Sequence, residues 1–213
     1  MRFMLRRSAL LLLCSILALT GVLAVPVSRA AAAGCPDVAT VFARGTAEAA
    51  PPIGLTGESF NAFLRNRLPG DSLRAEAVRY AASDRFNDRE AIVRSVLGGV
   101  ADAQRQITRL AKNCPRTEIV LGGYSQGALV AAYTVNGGLT LPARNAEYSW
   151  LLPDQLPADV ADNIAAVVLF GPPSSRWLRQ LGAPQANIDR AYRSRTVSYC
   201  ITGDPVCDGS PVG

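Results

Sequence analysis

Between residues 118 and 135 the chain runs from Glu118-Ile119-Val120-Leu121, a β-rich apolar stretch, through Gly122-Gly123-Tyr124-Ser125-Gln126-Gly127, into Ala128–Val135, which has helical composition. A strand that turns into a helix across Gly-x-Ser-x-Gly fits a sharp elbow, in which flanking glycines relieve crowding and the serine hydroxyl is pushed outward. An ordinary glycine-rich turn is the competing reading. The strand entering and the Ala-rich helix leaving supply the context that the elbow requires, and Ser125 becomes the candidate nucleophile. The backbone N–H of Gln126, the next residue, then points to where negative charge would develop on an attacked carbonyl oxygen.

The remaining periodicity agrees with a layered fold. Val38–Ala43 is a short, continuous apolar run that stops at Arg44-Gly45-Thr46, and it reads as a buried strand ending in a turn. Glu58–Leu68 has helical spacing, and Ser72–Tyr80 is expected as a second strand. Asp88 is a candidate cap for the longest helix, in which Val93, Val96, Leu97, Val100, Ile107 and Leu110 recur at three- and four-residue intervals. Gly98-Gly99 inside it suggests a close approach to the sheet. Residues 137–160, with Gly137, Gly138, Pro142, Pro153 and Pro157, read mostly as loop, while Ile164–Phe170 and Thr196–Tyr199 are further strands. Apolar strands alternating with helices predict a three-layer α/β/α sandwich around a mainly parallel sheet covered on both faces, in one domain over residues 34–213.

Residues 1–33 have a basic start, an apolar run from Ala9 to Val27 and the small residues Ala30–Ala33, the order of a cleaved secretory signal. An uncleaved anchor is the competing reading, because the run approaches the ~20 residues that span a bilayer. Setting aside Arg2, Arg6, Arg7 and Arg29, all in this leader, lowers the net charge from +5 to +1, so no basic footprint for nucleic acid exists. Cys14 lies within the leader. Cys35, Cys114, Cys200 and Cys207 are left, an even number in an exported chain, which implies two disulfides. Cys200 and Cys207 are close enough to staple a local loop, leaving Cys35 for Cys114. Zinc is disfavoured by the wide spacings and the absence of histidine, and no metal or cofactor is expected.

At this point the chain resembles the cutinase family. Ala43-Arg44-Gly45-Thr46 is similar to the family's oxyanion loop, Gly-Tyr-Ser-Gln-Gly is its form of the elbow, and Cys200-Ile-Thr-Gly-Asp204-Pro-Val-Cys207 is similar to its disulfide-closed acid loop. The resemblance implies a secreted serine esterase of the α/β-hydrolase type. Ser125 would be the nucleophile and Asp204 the catalytic acid, with Thr46 and Gln126 forming the oxyanion hole. It also implies an ester or lipid substrate, such as a fatty-acyl, lipid or cutin-like polyester. A monomer in transient contact with a lipid or cell-envelope surface is expected. Read from the residues alone, a turn aspartate before proline is the slightly favoured reading of Asp204.

The chain departs from the family in one respect, since it contains no histidine. The family's histidine follows the second cysteine of the acid loop, so the domain is expected to be incomplete at its C-terminal end. Lys112, the sole lysine, lies beyond the far end of the nucleophile strand, on the order of 20 Å from Ser125 at about 3.3 Å per residue, and cannot act as base. The alternative function is a secreted lipid-binding or cell-surface protein that keeps the fold without turnover.

Overall fold

A computed structural model describes residues 34–49 and 52–210; the expected leader lies outside the described residues. Five strands, β1 (Val38–Ala43), β2 (Leu73–Ala77), β3 (Glu118–Tyr124), β4 (Ile164–Phe170) and β5 (Thr196–Tyr199), form one sheet in the order β2-β1-β3-β4-β5. Every pairing is parallel. Helices α1 (Gly54–Arg67), α2 (Arg89–Asn113), α3 (Gln126–Thr134), α4 (Ser175–Leu181) and α5 (Arg190–Arg193) connect or follow the strands.

The two-residue period of β1 shows how the layers divide. Ala39, Val41 and Ala43 join the larger core, with Val100, Ile107, Leu121, Val130 and Val167, beneath α2 and α3. Val38 joins Val120 and Val168 in a smaller cluster on the other face, against Phe60 of α1. Thr40 also points to that face, where its buried hydroxyl donates to Asn61 Oδ1 of α1 at 2.6 Å. Asn61 in turn donates to Gly57 O at 2.8 Å, so neither buried polar group lacks a partner. Phe42 fills the same layer by lying over Gly57 and Gly122, whose added Cβ atoms would each come within 2.8 Å of its ring. Phe170 and Tyr199, stacked at 5.5 Å, extend the aromatic cluster toward β5.

Boundaries move where side chains replace backbone pairing. The second strand ends at Ala77 instead of Tyr80, because Arg79 N–H is given to the Asp102 carboxylate of α2 at 2.8 Å. Helix α1 starts at Gly54, four residues before the expected start. Asp88 does cap α2, accepting from Ala91 N. The glycine pair in α2 serves a different contact from the one expected: Gly99 meets Tyr80 and Val130 of α3, while Gly98 has open space beside it. Residues 137–160 are not simply loop, since Ala143–Leu151 and Ala158–Asn163 form 3₁₀ turns.

The chain enters at β1, next to one edge of the sheet, goes outward to β2, then returns to place β3 on the opposite side of β1. That reversal opens a crevice at the carboxyl ends of β1 and β3, the usual ligand position in open parallel sheets. Residues 44–48 and 124–127 border it.

Two disulfides close the domain's ends, Cys35–Cys114 across a separation of 79 residues and Cys200–Cys207 across 7. In the chain-entropy description the long bridge constrains the unfolded chain more. Replacing Cys35 and Cys114 together by serine is expected to cost about 4 kcal/mol, and replacing Cys200 and Cys207 about 2–3 kcal/mol, in urea unfolding. An equal or inverted order would show that the bridges act mainly through native-state contacts.

Candidate functional site

Ser125 occupies the turn between β3 and α3 with φ 52 and ψ −115, a left-handed conformation that a side chain adopts only under constraint. The constraint is visible on both sides. An added Cβ on Gly123 would lie 2.1 Å from Gly127 O, and one on Gly127 would lie 2.0 Å from Ala43 O. Backbone therefore presses on backbone where α3 crosses the ends of β1 and β3. Ser125 N–H donates to Phe170 O of β4 at 2.8 Å, and Ser125 O accepts from Leu129 N at 3.2 Å. Both ends of the residue are held, and its side chain, half-buried, stands at the crevice.

Thr46 is brought to the same place by the 44–48 loop. Its Oγ1 lies 3.4 Å from Gln126 Nε2, which also donates to Ser83 O at 3.0 Å. Gln126 Oε1 accepts from Ser95 Oγ of α2 at 3.0 Å, and that oxygen accepts from Ser83 N at 3.1 Å. One buried glutamine thus ties together the 44–48 loop, the 80–88 loop and α2. Its backbone N–H, at the first turn of α3, has no intrahelical acceptor.

The 44–48 loop is braced further by residues that the sequence reading did not single out. Gly45 N donates to Glu48 Oε2 at 2.7 Å, and Thr56 N, in the first turn of α1, donates to Glu48 Oε1 at 3.3 Å. Arg44 Nε donates to Glu48 O and Arg44 Nη2 to Ala81 O. The Tyr80 hydroxyl donates to Arg44 O, and burial pushes that phenol well above its ordinary pKa, so it stays a donor. Ala47 N donates to Ala82 O at 2.8 Å. Ala47 and Ala82 have φ near 50, so together with Ser125 all three non-glycine residues of positive φ among the described ones lie around this crevice. Such strain, about 1–3 kcal/mol each, persists only where surroundings impose it. The signals available for these braces were slight: Glu48 two residues past Thr46, and Ser95 as a lone hydroxyl within the apolar stripe of α2.

Asp204 lies in the loop after β5, closed by Cys200–Cys207. Its Oδ1 accepts from Val206 N at 2.7 Å and Cys207 N at 3.2 Å. Among the described residues nothing bonds Oδ2. The carboxylate is thus oriented by its own loop, with one oxygen left over. Nearby Asp208 is held below the usual carboxylate range by the Ser210 hydroxyl and the Gly203 N–H. β5 stands two strands from β3, on the order of 10 Å at about 4.8 Å per strand, and among the described residues no hydrogen bond joins Asp204 to Ser125. The sequence contains no histidine. No group of three or more His, Cys, Asp or Glu side chains is arranged for a metal among the described residues.

A serine held in strain at a strand–helix turn, with polar N–H groups beside it and a fixed carboxylate across the sheet, is the framework for nucleophilic acyl chemistry. Comparison with known proteins points the same way. The family model described as Cutinase matches residues 34–212. Carboxylesterase Culp1 of Mycobacterium tuberculosis (strain ATCC 25618 / H37Rv) is 38% identical over 177 residues, 82% of this chain and 70% of its own length. Phospholipase Culp4 of the same strain is 35% identical over 211 residues, 96% of this chain and 82% of its own. The solved Trichoderma reesei cutinase in complex with a C11Y4 phosphonate inhibitor has a TM-score of 0.57 and 31% identity, covering 84% of this chain and 67% of that one. An iodinated complex of acetyl xylan esterase gives a TM-score of 0.65 and 25% identity, over 83% and 87% of the two chains. Given a match that extends over nearly every described residue, the chain belongs to the cutinase family.

Proposed function

We propose that this protein is an exported carboxylic ester hydrolase in which Ser125 is the nucleophile. Ser125 Oγ attacks the ester carbonyl while a base takes its proton; the alcohol leaves, and water then releases the acyl group by the reverse sequence. Thr46 and the Gln126 N–H hold the oxyanion, and Asp204 orients and stabilises the base through Oδ2. That base is a histidine supplied from outside these 213 residues. The carrying observation is the left-handed Ser125, locked between β4 and α3 with Thr46 and Gln126 at its side. Relatives named carboxylesterase and phospholipase support the reaction class and a fatty-acyl, lipid or polyester substrate. The disulfides support export, and no described helix is long and apolar enough to cross a membrane.

Two outcomes test the reading. In a chain extended by the histidine-bearing segment, Ser125→Ala abolishes hydrolysis of a short acyl ester while circular dichroism stays unchanged, and a phosphonate probe labels Ser125 in the parent. Retained turnover at the parent rate would require another nucleophile. The 213-residue chain itself keeps only the residual of roughly 10³–10⁴ over water that an oxyanion hole and binding give without the triad base; a kcat/KM equal to that of the extended chain would exclude a histidine-dependent mechanism.

Buried Ser95 acts through its hydrogen bonds with Gln126 and Ser83. In the extended chain Ser95→Ala is expected to lower kcat about tenfold with KM little changed, because misplaced oxyanion donors weaken transition-state binding more than ground-state binding. A change confined to KM would assign Ser95 to substrate binding instead.

A further inference from the structure

A second cavity lies apart from the crevice, and its contents are independent of the reaction proposed above. It has a volume of about 300 Å³ and lies between the N-terminal half of α2, the outer turns of α3, and the segments around residues 141–145 and 180–184. Ile92, Val96, Leu97, Leu129 and Leu141 give it apolar walls. None of Ser125, Thr46, Gln126 or Asp204 lines it. Leu129, one of its lining residues, is one turn along α3 from Ser125, on the order of 6 Å along the helix axis.

The roof is fixed. Asn145 Nδ2 donates to Gly182 O at 3.0 Å, and Arg144 Nη2 donates to Arg179 O at 3.2 Å. The Arg144 guanidinium lies where a Cβ on Gly182 would be, so this glycine, in a left-handed conformation, makes room for it. Trp150 of the same 3₁₀ segment is held over α2 by the Arg94 guanidinium, 5.0 Å from the ring centroid. At the mouth stand two exposed apolar side chains, Phe86 and Leu181, and two arginines, Arg89 and Arg144. Of the neighbouring acids, Asp88 caps α2 and pairs with Arg85, Glu90 pairs with Arg94, and Glu147 is hydrogen-bonded to Tyr148, beside Arg89. An apolar interior under a mouth whose two arginines make no ion pair among the described residues complements a molecule with one alkyl chain and one anionic head. At this volume, the lower end of the range of roughly 300–1,000 Å³ for small-molecule sites, one chain fits and a two-chain lipid does not.

We propose that the cavity binds a single fatty-acid anion, with its alkyl chain between α2 and α3 and its carboxylate at Arg89 and Arg144. Isothermal titration of the full 213-residue chain with octanoate, decanoate, dodecanoate and hexadecanoate, each below its micelle concentration, reads this directly and needs no turnover. Failure of the esterase reading would therefore leave the result intact. One saturable site is expected, tightening about three- to fourfold per methylene until the cavity is full and then levelling off. Ala183→Phe, which fills the cavity, weakens decanoate at least tenfold. Should that variant not fold, Leu141→Trp narrows the same space from a half-buried position. Arg89→Gln with Arg144→Gln removes the preference for decanoate over 1-decanol, whereas Thr46→Phe, which crowds the crevice beside Ser125, leaves decanoate affinity within twofold. The proposal is overturned by the absence of saturable binding to the folded chain, by affinity indifferent to the cavity variants, or by loss of binding in Thr46→Phe.

Discussion

Backbone contact at the crossing of α3 over β1 and β3 is the constraint from which the site follows. Gly123 and Gly127 lack the Cβ atoms that would collide with Gly127 O and Ala43 O, and only that allows the helix to start immediately after the strand. The short turn then forces Ser125 into positive φ and sets its side chain at the carboxyl end of the sheet. Because β1 and β3 are adjacent through the reversal of strand order, the loop leaving β1 lies beside that serine. Sheet topology and two glycines together bring Thr46 and Ser125, 79 positions apart in the chain, to one crevice.

Around this contact, rigidity comes from hydrogen bonds rather than from apolar burial. Glu48 joins the 44–48 loop to the first turn of α1, Tyr80 and Arg44 join it to the 80–88 loop, and Gln126 with Ser95 joins both to α2 and α3. A partly satisfied network of this kind would be costly, since each buried polar group without a partner loses about 1–3 kcal/mol. Here the bonds are made, and they hold strained residues at Ala47, Ala82 and Ser125 in place before any substrate arrives.

How much of this the amino-acid order revealed depended on the kind of interaction. β1 and β4 were legible to the residue, because buried parallel strands are continuous apolar runs bounded by turn residues; β5, Thr-Val-Ser-Tyr and largely exposed, was legible from its β-favouring residues instead. The elbow was legible because its glycines are demanded by backbone geometry, and the two disulfide pairs because cysteine positions leave few arrangements. Glu48, Ser95 and Tyr80 were not, since each is defined by a partner distant in the chain and has no periodic signature. The function of Gly99 was misplaced for the same reason: a glycine in a helix announces a close neighbour, but not that the neighbours are Tyr80 and Val130 instead of the sheet. The cavity under residues 141–145 was equally hidden, as its roof is held by Asn145 and Arg144 reaching the α4 terminus.

In the proposed mechanism Ser125 is poised for acyl attack and lacks only an imidazole between itself and Asp204. Chemical rescue tests it on the 213-residue chain as it stands, by measuring hydrolysis of a short acyl ester against added imidazole, with Ser125→Ala in parallel. The expected result is a Ser125-dependent rate that saturates with imidazole and rises with pH as the ring loses its proton, near neutrality. A rate equal in the parent and in Ser125→Ala, growing only in proportion to imidazole as free solution catalysis does, would contradict it.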